Sequence, residues 1–347
     1  MLKSYVAKIV EEAHLSARWI KAELGQLPPA RSIFVGGGTP SLLPVPLLEE
    51  LFTALTTNFA IDDDVEITLE ANPETVDEEF ARALKHRTPV NRVSLGAQSF
   101  EASHLAVLER LGSAESIASA IRTLKKAGFE NYSLDLIFAI PGQTLATVLS
   151  DIEQAASLGP SHLSFYNLTL KEGHALYRGL PSEDLQADWY EAGVARLREL
   201  GFSRYEVSNF SRPGKQSRHN LLYWDGGDFL GLGPSAASRV FKGGVFRHRK
   251  HPADLDRYLA TSDFGFDLFE PSTPEQTVLE ATFLELRKDA GISLSWFRDR
   301  YRYDPSEAKN FSFFVKQGLI NRSEDTVQLT PRGMLLADRV TRELVDV

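Results

Sequence analysis

A chain of 347 residues with 43% hydrophobic and 24% charged residues has the make-up of a soluble globular protein of about two domains. A formal net charge of −9 argues against general binding to nucleic acid or to a membrane surface, since both are polyanions. With no cysteine, these residues offer no disulfide, no thiolate nucleophile and no sulfur ligand for zinc or an iron–sulfur cluster. No apolar run approaches membrane-spanning length and no secretory signal opens the chain, so the expected location is cytoplasmic.

Residues 4–24 carry Val6, Ile9, Val10, Ala13, Ala17, Ile20 and Leu24 at helical spacing. After Pro28 and Pro29 come a β-rich run at 32–35, three glycines with Pro40, and a helix over 46–58. The same grammar repeats. Strands are expected at 65–71, 92–98, 132–140 and 162–170, with helices near 77–85, 113–127, 144–158 and 185–200. This alternation predicts a parallel sheet, either open and doubly wound or a barrel, with right-handed crossovers.

Beyond about residue 210 the pattern changes. Residues 211–270 read as a loop-rich connection with short β runs, marked by Gly226, Gly227, Gly231, Gly233, Pro234, Gly243 and Gly244. From 271 to 347 the expectation is helices from Thr273, at 294–301 and at 306–317, then a β pair at 319–322 and 327–329, then a helix over 331–344. Helices followed by a β-ribbon predict a winged-helix-like α+β module. Lys309 and Lys316 stand nearly alone on its candidate recognition helix, which argues against DNA.

Each strand of the first region (1–210) ends in a glycine cluster or a polar residue: Gly36–Gly38, Glu70, Gln98, Asp135 and Tyr166. In parallel α/β folds that edge faces the ligand. A single polar strand end carries no information, because polar residues commonly end strands. Five in succession point to a site.

The motifs GGGTP (36–40), LEANPETV (69–76), SLGAQSF (94–100), DLIFAIPGQT (135–144) and YEVSNF–PG–RHNLLYW (205–224) resemble the radical S-adenosylmethionine proteins related to oxygen-independent coproporphyrinogen III oxidase. The branch described as haem chaperones is the most similar, and LELRK, QGLI and QLTPRG follow in the family's order. The resemblance implies a partial parallel (β/α)6 barrel that lacks its first strand. It implies that Gly36, Gly37, Gly38 and Thr39 meet the amino-acid part of S-adenosylmethionine, with Glu70, Gln98 and Arg110 around it, Asp135 on a ribose hydroxyl and Tyr166 beside them. In the family a CxxxCxxC loop after the first strand holds a 4Fe–4S cluster. Here Met1 follows where that loop is expected, and its ligands are absent. Gly112 stands where the family has a histidine, Ala139 where it has a glycine, Ser217 where a cysteine often precedes RHN, and Ala237 where a histidine is usual.

HNxxYW is the signature associated with the haem-chaperone branch. It implies His219 as a haem-iron ligand, Asn220, Tyr223 and Trp224 as its surroundings, and Arg218 as the partner of a propionate. The alternative is a structural His219 in a strand–loop corner with Tyr223 and Trp224 as core. His162 and His248 lie outside the motif and are expected to leave haem untouched.

Three functions remain in view. The first is haem binding and delivery to an acceptor protein without radical chemistry of its own. The second is a radical S-adenosylmethionine oxidoreductase whose start lies upstream. The third is a non-catalytic remnant that binds a partner or S-adenosylmethionine. An exposed edge beside the GGGTP strand further predicts a homodimer or poor solubility.

Overall fold

The computed structural model describes residues 2–25 and 28–345. Met1, on which the question of an upstream start turns, lies outside them.

The chain opens with helix α1 (Leu2–Glu23), strand β1 (Ala30–Val35), α2 (Val45–Asn58) and the long strand β2 (Ile61–Ala71). Helices and strands then alternate through α3 (Glu78–Arg87), β3 (Arg92–Gln98), α4 (Ala102–Val107), α5 (Ala114–Lys126), β4 (Tyr132–Phe138), α6 (Leu145–Ser157), β5 (His162–Asn167) and α7 (Glu183–Glu199). Two short strands, β6 (Ser203–Arg204) and β7 (Asn209–Ser211), follow. Helix starts are fixed by side chains that satisfy orphan N–H groups. Asp77 caps α3, and capping boxes at Ser113 and Thr144 start α5 and α6.

One compact unit comprises Phe34–Leu42 and Glu66–Ser217. Its curled half-barrel sheet has the order β1-β2-β3-β4-β5-β7-β6. Strands β2 to β5 are mutually parallel, and β7 and β6 extend the sheet in antiparallel fashion. This antiparallel pair goes beyond the expected repeat.

Side chains alternate across the sheet. Leu69, Val93, Leu95, Leu134, Leu136, Leu163 and Phe165 are buried, as are Leu84, Ile117, Ile121, Leu124, Val148 and Ile152 of the helices. Burying each such side chain contributes about 1.5–3 kcal/mol. The opposite face is polar. Register aligns Glu70 with Ser94, Ser133, His162 and Ser211 in one row, and Gly96 with Asp135, Ser164 and Asn209 in the next.

The other compact unit takes the chain up to Ile33, Leu43–Val65 and everything from Arg218. Residues 218–224, expected to be loop or strand corner, form the short helix α8 (Arg218–Trp224). Strands β8 (Ala237–Lys242) and β9 (Val245–Lys250) then form a hairpin whose turn, Gly243–Gly244, has positive φ at both positions, as a type I′ turn demands. After α9 (Leu255–Ala260), β10 (Glu270–Pro271) completes a sheet ordered β10-β9-β8. Trp19 and Ile20 of α1 pack with Val240 and Phe269.

The C-terminal part holds α10 (Pro274–Leu286), β11 (Ile292–Ser293), α11 (Leu294–Tyr301), α12 (Phe311–Lys316), β12 (Ile320–Arg322), β13 (Thr326–Leu329), α13 (Pro331–Leu335) and α14 (Ala337–Leu344). With its small sheet ordered β11-β13-β12 it is winged-helix-like. The final helix, expected as one, is broken at Leu336. Among the described residues, no helix is long and apolar enough to cross a membrane.

Candidate functional site

At the C-terminal edge of the parallel strands, a cavity of about 160 Å³ is lined by Gly37, Gly38, Thr39, Glu70, Gln98, Arg110 and Asp135. Seven of the nine residues expected at the nucleotide site thus converge there. Gly36 lies behind the lining, and a Cβ there would stand 2.9 Å from the Glu70 carboxyl. Tyr166 does not line the cavity. It sits close enough to Asp135 that this charge, after burial, helps push its phenol upward.

Three hydrogen bonds tie the loops together. Gly37 N–H, at φ 117°, donates to Glu70 Oε2 at 3.1 Å. Asn72 Nδ2 donates to Thr39 Oγ1 at 3.2 Å, and Arg110 donates to Asn72 Oδ1 at 3.2 Å. Asn72 is therefore the hub of the site, although only its place in the EANP motif marked it beforehand. Ser94 and Gly96 also line the cavity. Their roles follow from register: Ser94 Oγ donates to Asp135 at 3.2 Å, and Gly96 lies opposite Asp135. A Cβ on Gly96 would meet Gln98 Nε2 at 2.8 Å, so the glycine makes room for the Gln98 amide. Gln98 has φ 64°, an uncommon backbone for a non-glycine.

Burial raises the pKa of Glu70, with the Gly37 N–H opposing and the Asp135 charge adding to the rise. Burial raises that of Asp135 as well, opposed by hydrogen bonds from Ser164 and Ser94 and by the Arg92 charge. Two carboxyl groups line the cavity with one guanidinium. This set suits a ligand with a cationic nitrogen, hydroxyls and a carboxylate.

The departures from the family pattern have physical consequences. Ala139 is fully buried with φ 65°, a conformation in which glycine carries no penalty. At Gly112, a Cβ would run into the Glu74 carboxylate, so that carboxylate occupies the space where a longer side chain would begin.

A second group of residues surrounds α8. His219 Nδ1 lies 3.0 Å from Ser32 Oγ of β1. Its ring stands edge-on to Tyr223, four residues on, at a centroid distance of 5.0 Å. Tyr223 packs on Phe229 at 4.3 Å, and the Arg287 guanidinium lies 5.9 Å from the Trp224 ring. No side chain of α8 is fully buried, Asn220 included, so Tyr223 and Trp224 are not core residues. The guanidinium expected for a propionate, that of Arg218, is held by Asp64 at 2.6 Å. His162 is a buried structural histidine between Ser133 Oγ at 2.7 Å and Tyr205 OH at 2.8 Å, with burial holding its pKa well below the ordinary value.

Comparison with known proteins decides the family. The model of the radical SAM superfamily matches residues 7–155, and that of the HemN C-terminal domain matches residues 272–336. A Lactococcus lactis protein named heme chaperone HemW is 32% identical over 350 residues, covering 98% of this chain and 88% of the relative. The chain belongs to the HemW family. A Mycobacterium tuberculosis HemW is 35% identical over 346 residues, covering 94% of this chain and 86% of its own. Escherichia coli HemW is 39% identical over a shorter stretch, 60% of this chain and 56% of its own. Among solved structures, coproporphyrinogen III oxidase (HemN) from Escherichia coli matches with a TM-score of 0.79 at 22% identity, covering 99% of this chain and 83% of that one, a likeness of fold. The radical SAM superfamily implies S-adenosylmethionine and a 4Fe–4S cluster. The cavity's polar set fits the amino-acid and ribose parts of the first. For the second, the residues of this HemW-family chain supply no thiolate donor.

Proposed function

We propose that this chain binds haem as cargo at α8, through His219, and delivers it to an acceptor protein. The observation that carries this reading is the arrangement of the HNLLYW hexapeptide: His219 and Tyr223 share one side of a helix none of whose side chains is fully buried. An imidazole presented beside aromatic edges has the chemistry of a haem axial ligand and its apolar rest. Asn220 and Trp224 complete the surface, and Arg218 would have to exchange Asp64 for a propionate. The family's relatives named heme chaperone HemW support the same reading. The test is haem titration of the purified protein. A sharp Soret band that His219→Ala weakens or shifts, and that His86→Ala on α3 leaves alone, is expected. Identical spectra for wild type and His219→Ala would make the motif structural.

A second reading concerns the strand-edge cavity, where Glu70, Arg110 and Asp135 converge. These groups support binding of S-adenosylmethionine, with Gly36–Thr39 and Gln98 around its amino-acid part and Asp135 on the ribose. No radical step is assigned to residues that offer no cluster ligand. Calorimetric titration with S-adenosylmethionine tests it, and Asp135→Ala should weaken the binding at least tenfold, the loss of hydrogen bonds to a buried charged acceptor.

A further inference from the structure

We infer that Ser32 is the positioning residue for His219, holding the ring plane in which the imidazole meets haem iron. The inference rests on the haem reading above and extends it to a residue outside the HNxxYW motif. Ser32 lies 187 positions earlier in the chain, on β1, and its hydroxyl reaches His219 Nδ1 at 3.0 Å, with both groups half-buried. Its neighbours Ile33, Phe34 and Val35 form an apolar β run, and nothing about strand formation calls for a hydroxyl in it.

The chemistry of ligation gives that hydroxyl a task. A histidine ligates iron through the lone pair of one ring nitrogen while the other carries the proton. With Nδ1 facing Ser32, ligation runs through Nε2, and Nδ1–H then donates to Ser32 Oγ. Such an outer hydrogen bond orients the ring and raises the basicity of the ligating nitrogen. The edge contact with Tyr223, centroids 5.0 Å apart and rings inclined by 62°, limits rotation from the other side. The hydrogen bond and the ring contact thus restrain the imidazole from two sides. Two further links hold that contact in place. Tyr223 rests on Phe229, and Arg239 ties the loop beyond α8 by donating to Gly227 O at 2.8 Å.

The experiment is equilibrium haem binding with absorption and ferric EPR spectra for wild type, Ser32→Ala, Ser32→Thr, His219→Ala and the Ser32→Ala/His219→Ala double variant. Ser32→Ala should weaken haem binding on the order of tenfold and broaden the Soret and EPR lines, the cost expected of losing a ligand's outer hydrogen bond. Ser32→Thr should restore both, since it keeps the hydroxyl and suits a strand. The double variant should bind like His219→Ala alone, because Ser32 acts only through the imidazole. Wild-type affinity and spectra in Ser32→Ala, or a further tenfold loss on top of His219→Ala, would overturn the assignment. If His219→Ala itself changes nothing, it is the haem reading that fails. The haem-free protein supplies a readout independent of folding in the variants. Imidazole resonances of wild-type His219 should report one ring orientation, and averaging over ring flips would contradict the role given to Ser32.

Discussion

Asp151 and Phe100 are 51 residues apart, yet the carboxylate of the first accepts the N–H of the second at 2.8 Å while its other oxygen accepts Ser99 Oγ at 2.8 Å. Both bonds are buried, and they clamp the two residues that follow Gln98. The left-handed backbone of Gln98, and so the aim of its amide into the cavity, is held from α6. Asp151→Ala strands the buried Phe100 N–H, at about 1–3 kcal/mol, and removes the Ser99 hydroxyl's shorter bond, leaving it His104 Nδ1 at 3.4 Å, at about 1 kcal/mol. A loss of about 2–4 kcal/mol is expected in denaturant unfolding, with weaker S-adenosylmethionine binding at temperatures where the variant is folded. A change below 1 kcal/mol would show that the turn holds itself.

Glu70 and Asp135 share the cavity, and both have pKa values raised mainly by burial. A carboxyl with a raised native pKa binds more protons folded than unfolded, so stability falls as pH rises from the ordinary carboxylate range through the raised value. Asp135→Asn removes that penalty while keeping the shape. Its melting temperature should exceed that of wild type at neutral pH, and the gap should close as the pH is lowered to about 4, near the ordinary carboxylate pKa. A variant less stable at neutral pH, or a gap independent of pH, would refute the account.

Ala139 stands with φ 65° where the family pattern has glycine. A left-handed alanine costs roughly 1–2 kcal/mol, and glycine gives back about 0.4–1 kcal/mol through the freedom of its unfolded chain. Ala139→Gly should therefore stabilise by about 0.5–1 kcal/mol, read as a higher unfolding midpoint. A lower midpoint would mean that the buried methyl matters more than the backbone.

The alternation of strands and helices was legible because period-two and helical spacing are local properties. The short helix α8 was not, since a seven-residue segment with no fully buried side chain carries no apolar stripe. The antiparallel β6 and β7, of two and three residues, are too short to show a period. Glycines and carboxyls at the strand ends announced the cavity. Asn72, Ser94 and Gly96 did not stand out, because their roles come from cross-strand register and not from residue type. The hydrogen bond between Ser32 and His219 likewise joins distant segments, and no sequence spacing encodes it. Glu12 is the clearest case: a charged residue on a helix reads as solvent-facing, but this one is fully buried.

Glu12 supplies the last prediction. Its Oε2 accepts Gly233 N–H at 2.9 Å and Tyr258 OH at 2.7 Å, while Oε1 faces His251 Nε2 at 2.5 Å and Arg249 at 3.7 Å. Burial pulls the Arg249 pKa down, and the Glu12 charge opposes that pull. The carboxylate therefore anchors α1 to β9 and α9 and compensates a buried guanidinium. Removing one partner of a buried ion pair costs about 3–5 kcal/mol, because the other charge is left without compensation. Glu12→Ala should lose about that much and expose α1 to proteolysis, whereas Tyr258→Phe, which removes one hydrogen bond, should lose about 1 kcal/mol. Glu12→Gln keeps acceptors for Gly233 and Tyr258 but removes the charge opposite Arg249, so it should fall between them. If Glu12→Ala lies within 1 kcal/mol of wild type and α1 stays protected, the anchor is elsewhere, in the packing of Trp19 and Ile20 on Val240 and Phe269.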